Sequence, residues 1–302
     1  MRLKSIFAAP FLMIVVLALF GAVGLVGARG ALGSETYLTL AIVQLIVYAL
    51  PSVFFCRLRG KEFTPRLRLR FFKPTHLFLM LFALLAILTG SALLNIGMMS
   101  LFPDAEYASA AASYAGASGS FSGTVYALIA MCILPALLEE FLFRSIITAE
   151  YESVSVPCAV LMSSLLFAMM HLSFVRLPAC FFSGVILCLT MYATRSVIAS
   201  MVVHAANNIV TLFVDRYLYT AARELGERGV LLTFILVSVL LLSLVLFSMS
   251  AQNAYTVYGV TNVPSPYVRR KKRGESVWAF EAIFAPPFVF LVVLFVIFTA
   301  VT

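Results

Sequence analysis

Long apolar runs separated by short polar segments set the pattern of this chain. Runs of about twenty mostly apolar residues fall near 6–28, 37–56, 76–99, 123–148, 157–175, 178–194, 196–214, 229–250 and 281–301. That length is what an α-helix needs to cross a bilayer core of ~30 Å. The pattern predicts an all-α, polytopic transmembrane helix bundle of about nine spans. Tight turns at Arg176 to Pro178 and at Arg195 bound the sixth run. The first run, which follows Met1-Arg-Leu-Lys4, exceeds the ~7–15 apolar residues of a secretory signal and reads as a retained helix. Within it Gly21, Gly24 and Gly27 suggest a small-residue ridge for close helix packing.

The connecting segments give an orientation. Segment 57–73 carries Arg57, Arg59, Lys61, Arg66, Arg68, Arg70 and Lys73 against Glu62 alone, and 262–276 carries Arg269, Arg270, Lys271, Lys272 and Arg273. Both are expected on the cytoplasmic side, because positive loops stay inside. An even number of spans, six, separates them, so both fit one side, with the N-terminus also cytoplasmic and Asp104 to Gly123 outside. Segment 57–73 reads first as a solvated loop. A short surface helix over Arg66 to Lys73, ahead of Pro74 and against anionic lipid, is the alternative.

Composition agrees with the bilayer. The 302 residues are 63% hydrophobic and 11% charged, against about 25% charged in soluble domains. A single integral membrane domain over 1–302 is expected, multi-pass in the cell membrane. The net charge of +8 sits in inter-helix loops, which speaks against nucleic acid as a partner. Cys56, Cys132, Cys158, Cys180 and Cys188 form no CxxC pair and read as small buried residues. No cofactor is expected, and no internal repeat of the kind found in transporters is visible.

Against this background the polar residues inside spans stand out. Pro135-Ala-Leu-Leu-Glu139-Glu140-Phe-Leu-Phe-Arg144 puts two acids and an arginine where hydrocarbon is expected. Glu140 and Arg144 are four apart, with the acid nearer the N-terminus, the favourable order for an ion pair. Glu139 lies about 100° around the helix, off that pair and free for chemistry. Taken alone, the pair reads slightly better as bundle stabilisation. Pro135 withdraws a backbone donor from Met131 and loosens the helix one turn before Glu139. Phe167 and His171 share a helix face, as do His204 and Asn208, the latter two offering donors for an oxyanion. A lone histidine on an apolar helix more often packs than reacts; two, with two acids and two asparagines, resist that explanation. If the fourth and fifth runs are antiparallel about a turn at 152–157, Glu139 and His171 lie at similar depth. That depth is about 20 Å from the cytoplasmic face at ~1.5 Å per residue, so water needs a cavity or a dipping turn.

At Glu139-Glu140-x3-Arg144, Phe167-x3-His171 and His204-x3-Asn208 the chain resembles the CAAX prenyl protease and bacteriocin-processing family (CPBP, also Abi) over about 124–213. The resemblance implies an intramembrane glutamate-dependent endopeptidase. Glu139 and His171 would activate water, and His204 and Asn208 would stabilise the oxyanion. Glu140 would belong to the catalytic group, with Arg144 and Phe167 in support. Its implied partners are a peptide or protein substrate near the membrane, lipidated or not, and the bilayer itself. Three rivals use the same residues: a zinc peptidase, a non-catalytic scaffold or immunity protein, and a proton-coupled transporter.

Overall fold

The computed structural model describes residues 5–28, 36–102, 121–224, 227–261 and 278–301. Among these every regular element is helical: α1 (Ser5–Ala28), α2 (Tyr37–Arg59), α3 (Pro74–Leu101), α4 (Phe121–Tyr151), α5 (Val156–Met169), α6 (Leu177–Thr194), α7 (Val197–Glu224), α8 (Glu227–Val260), α9 (Trp278–Ile283) and α10 (Pro286–Val301). The chain is an all-α polytopic bundle. Seven helices, α1 to α4 and α6 to α8, are long and apolar enough to cross a membrane. The other two expected spans are real but shorter, at Val156–Met169 and Pro286–Thr299.

Local chemistry sets both shortfalls. Ser155 caps α5, its Oγ accepting the Cys158 N–H at 3.2 Å, with Pro157 in the first turn. At the other end Leu172 adopts a left-handed φ of 47°, and the Ser173 hydroxyl accepts the Arg176 N–H. The helix therefore stops at Met169 rather than running to 175, although the sequence there is still apolar. The last expected span is split because Pro286 and Pro287 supply no N–H, so α9 and α10 are separate.

The basic segment after α2 keeps Arg57, Lys61, Arg70 and Lys73 exposed, as a solvated loop would, but it is partly docked, and no surface helix spans 66–73. Lys61–Leu67 forms a 3-10 turn and Arg68 turns left-handed (φ 53°). The strap that results docks on the bundle. Arg59 pairs with Glu150 at the end of α4, and Arg68 pairs with Glu152 just beyond it, which also accepts the Tyr192 hydroxyl at 2.7 Å. Arg66 donates to the Ala149 carbonyl, Arg70 Nε to the Arg195 carbonyl, and Val197 N–H to the Arg68 carbonyl. Three connections, α2–α3, α4–α5 and α6–α7, are thus stitched at one end of the bundle. The basic segment 262–276, the connection 104–120, and Arg2 and Lys4 lie outside the described residues.

Among the glycines whose surroundings are described, close helix approach occurs at Gly90 and Gly184 and not at Gly21. A Cβ on Gly21 would meet nothing within 4 Å, so no ridge packs there, while the side-chain surroundings at Gly24 and Gly27 are not described. Gly90 instead admits the ring of Phe182, and Gly184 admits Ser164, whose Cα would stand 3.0 Å from an added Cβ. Gly184→Val is expected to destabilise by about 1–3 kcal/mol through overpacking against backbone. Gly21→Ala should be neutral or slightly stabilising. Thermal unfolding of the two purified variants measures the contrast.

Candidate active site

The site begins with a loosened helix. α4 runs as a π-helix over Leu128–Ile133, where the Leu134 N–H bonds the Ile129 carbonyl, five residues back. In that register Pro135 withholds its donor from Ala130, not from Met131. The Ala130 carbonyl is satisfied from outside, by Gln44 Nε2 of α2 at 2.9 Å. Asn208 Nδ2 of α7 reaches the Cys132 carbonyl, at 3.4 Å. The irregular turn thereby fastens α2 and α7 to α4 just ahead of the acids. π-turns of this kind recur at functional sites.

A second π-turn, Phe141–Ile147, carries Arg144 into the core. Glu140 and Arg144 are both fully buried and form an ion pair at 2.9 Å. The guanidinium also donates to the Gly184 carbonyl (3.4 Å) and lies 4.3 Å from the centre of the Phe167 ring. His204 Nδ1 stands 2.9 Å from the same Glu140 oxygen that faces Arg144. Glu140 therefore has two partners where the sequence suggested one. Its carboxylate orients the His204 ring and leaves the other ring nitrogen, Nε2, turned away from the pair.

Phe167 ties the cluster together. Its ring meets Phe143 at 5.3 Å, His171 at 4.9 Å and His204 at 5.7 Å, all edge-on. His171 sits not within a helix but on the turn after α5, its Nδ1 3.0 Å from the Phe167 carbonyl. Phe167, His171, His204 and Asn208 line one cavity of about 270 Å³ between α3, α6 and α7. Glu140 and Arg144 stand behind His204. Glu139 is not part of that lining. It is half-buried on the adjoining face of α4, without a hydrogen bond or ion pair among the described residues, within the electrostatic reach of His204, Glu140, Arg144 and Arg176. His171 lies within reach of the same His204, Arg144 and Arg176.

Arg176 and Asn207 also line the cavity. Arg176 reads in the sequence only as a turn marker; its one signal is a single cation between two apolar runs, five residues after His171. Among the described residues no three His, Cys, Asp or Glu side chains gather as metal ligands would.

Compared with known proteins, residues 121–210 match the family described as type II CAAX prenyl endopeptidase, Rce1-like. The similarity is confined to this segment. It starts with α4, ends within α7, and includes Glu139, Glu140, Arg144, Phe167, His171, His204 and Asn208. No curated protein and no solved structure matches the chain. The similarity of this segment to that family, together with the apolar helices around it, supports a multi-pass membrane protease of the CAAX type in general terms.

Proposed function

We propose that this chain hydrolyses peptide bonds in a cell membrane, with Glu139 and His171 jointly activating a water molecule. One observation carries the assignment: Arg144 and His204 both engage Glu140, whereas Glu139 has no bonding partner among the described residues. Glu140 is a structural anion in this reading, and Glu139 is the acid left to accept a proton.

As water gives its proton to the Glu139–His171 pair, its oxygen attacks the carbonyl carbon of the scissile bond. Negative charge builds on the carbonyl oxygen, where His204 Nε2–H and the Asn208 amide are the donors. Because Glu140 accepts from His204 Nδ1, the ring donates at Nε2 only when both of its nitrogens carry a proton. The proton held by Glu139 and His171 then passes to the leaving nitrogen as the C–N bond breaks. Substrates would be peptides or proteins presented at the membrane, and the N-terminus would face the cytoplasm.

Reconstituted in proteoliposomes, the chain is expected to cleave labelled peptides, prenylated or plain, at a rate unchanged by a strong chelator. Activity that disappears with chelator and returns with zinc would transfer the chemistry to a metal.

A further inference from the structure

The bundle has two unlike ends. At one, the strap docks through Arg59, Arg66 and Arg68 on α4 and the turn beyond it, and the Tyr192 hydroxyl donates to Glu152. α8 finishes at the same end, where the Tyr258 hydroxyl stands 3.3 Å from His76 Nε2 and the Arg195 guanidinium lies 3.9 Å from the Tyr258 ring centre. Next in from the strap comes packed hydrocarbon. Leu79, Met80 and Ala83 of α3 meet Ala193, Ala199 and Val203 of α6 and α7, all of them buried.

The cavity starts beyond that layer and runs the other way. On α6 and α7 it begins at Leu187 and His204, about 10 Å along the helix from Thr194 and Val197 at ~1.5 Å per residue. It continues to Arg176 and Val214, about 26 Å along on the same rise. On α3 it spans Ile87 to Asn95, about 20–30 Å from Pro74. Toward the end remote from the strap the lining opens: Asn207, Asn208 and Thr211 are half-buried and Val214 is exposed. The exposed Phe174, which follows His171, meets Phe102 just past the end of α3, edge-on at 5.8 Å. The α5–α6 connection is thus turned toward that same far end.

We infer that the site is served from the end opposite the strap, and that its substrates are polypeptide segments on the outer, extracytoplasmic side of the membrane. Charge fixes which side that is. The strap exposes Arg57, Lys61, Arg70 and Lys73, and the second basic segment, 262–276, follows α8, which ends beside the strap. Positive connections stay on the cytoplasmic side, so the cavity opens toward the other. The substrate class rests on the proteolytic reading, whereas the direction of the opening does not. A cytoplasmic peptide would have to displace the strap, with its two ion pairs, and then the apolar layer behind it before meeting His171. Water coming from that side meets the same obstacle.

Thiol accessibility in right-side-out and inverted vesicles from the same expressing cells tests this. Thr211→Cys places a thiol in the cavity and Lys61→Cys places one on the strap, each in a chain with Cys56, Cys132, Cys158, Cys180 and Cys188 changed to alanine. The reagent is sulfonatoethyl methanethiosulfonate, which is small and does not cross membranes. It is expected to abolish later maleimide labelling of Thr211→Cys in right-side-out vesicles only, and of Lys61→Cys in inverted vesicles only. Protection of Thr211→Cys from the strap side, or from neither side, overturns the inference, and so does a strap thiol reached from outside. A second arm needs no substitution and therefore survives a cysteine-free chain that fails to fold. An impermeant, internally quenched pool of mixed-sequence peptides is expected to be cleaved by right-side-out vesicles of the unaltered chain and not by inverted ones, with Glu139→Gln vesicles as the blank. Cleavage confined to inverted vesicles overturns the inference. Thiols placed as expected, with no cleavage from either side, leave the opening assigned and remove the protease reading instead.

Discussion

Glu139→Gln is expected to leave the bundle folded and to lower peptide hydrolysis by about 10²–10⁴-fold, the usual contribution of a general base. The amide has nearly the same shape as the acid and cannot accept the proton from water. The fold should tolerate it because Glu139 holds no bonding partner among the described residues, so nothing buried is orphaned by the change. The comparison is made on purified protein, with the unfolding temperature beside the rate of fragment release. Turnover within threefold of the starting chain would take Glu139 out of the mechanism. Lost activity with a lost fold would show that Glu139 is structural after all.

Arg144→Met should do the opposite. A loss of about 3–5 kcal/mol is expected, because removing one member of a buried pair strands the other. Methionine roughly fills the volume, but Glu140 would keep only His204, and the Gly184 carbonyl and the Phe167 face would lose their cation. Adding Glu140→Gln to Arg144→Met should recover part of that loss, since the stranded charge goes with it. Chemical unfolding in detergent gives the three values. A change below about 1 kcal/mol for the single variant would mean that Arg144 is not held as described.

How much of this could be read from the chain depended on sequence distance. The spans were legible because burial in a bilayer writes itself as a run of apolar residues, whatever the tertiary detail. The Glu140–Arg144 pair was legible because one helical turn connects the two. The His204–Glu140 contact was not, since 64 residues separate them and only the packing of α7 on α4 brings them together. The docking of the strap was not legible for a related reason: its acids, Glu150 and Glu152, lie at the far end of the second helix after it. The early end of α5 hides in a stretch that is still apolar, where the deciding signals are a left-handed Leu172 and a hydroxyl turn at Ser173. Arg176 reads as punctuation in the sequence because a cation between two apolar runs normally marks a boundary.

The 14 residues of α5 extend about 21 Å at ~1.5 Å per residue, well short of a typical hydrocarbon core. Only Pro157 and Leu161 of α5 are exposed, so the shortfall is taken up inside the bundle and not by lipid. The turn that carries His171 thus stops within the bundle, and water reaching that imidazole would pass through the cavity between α3, α6 and α7.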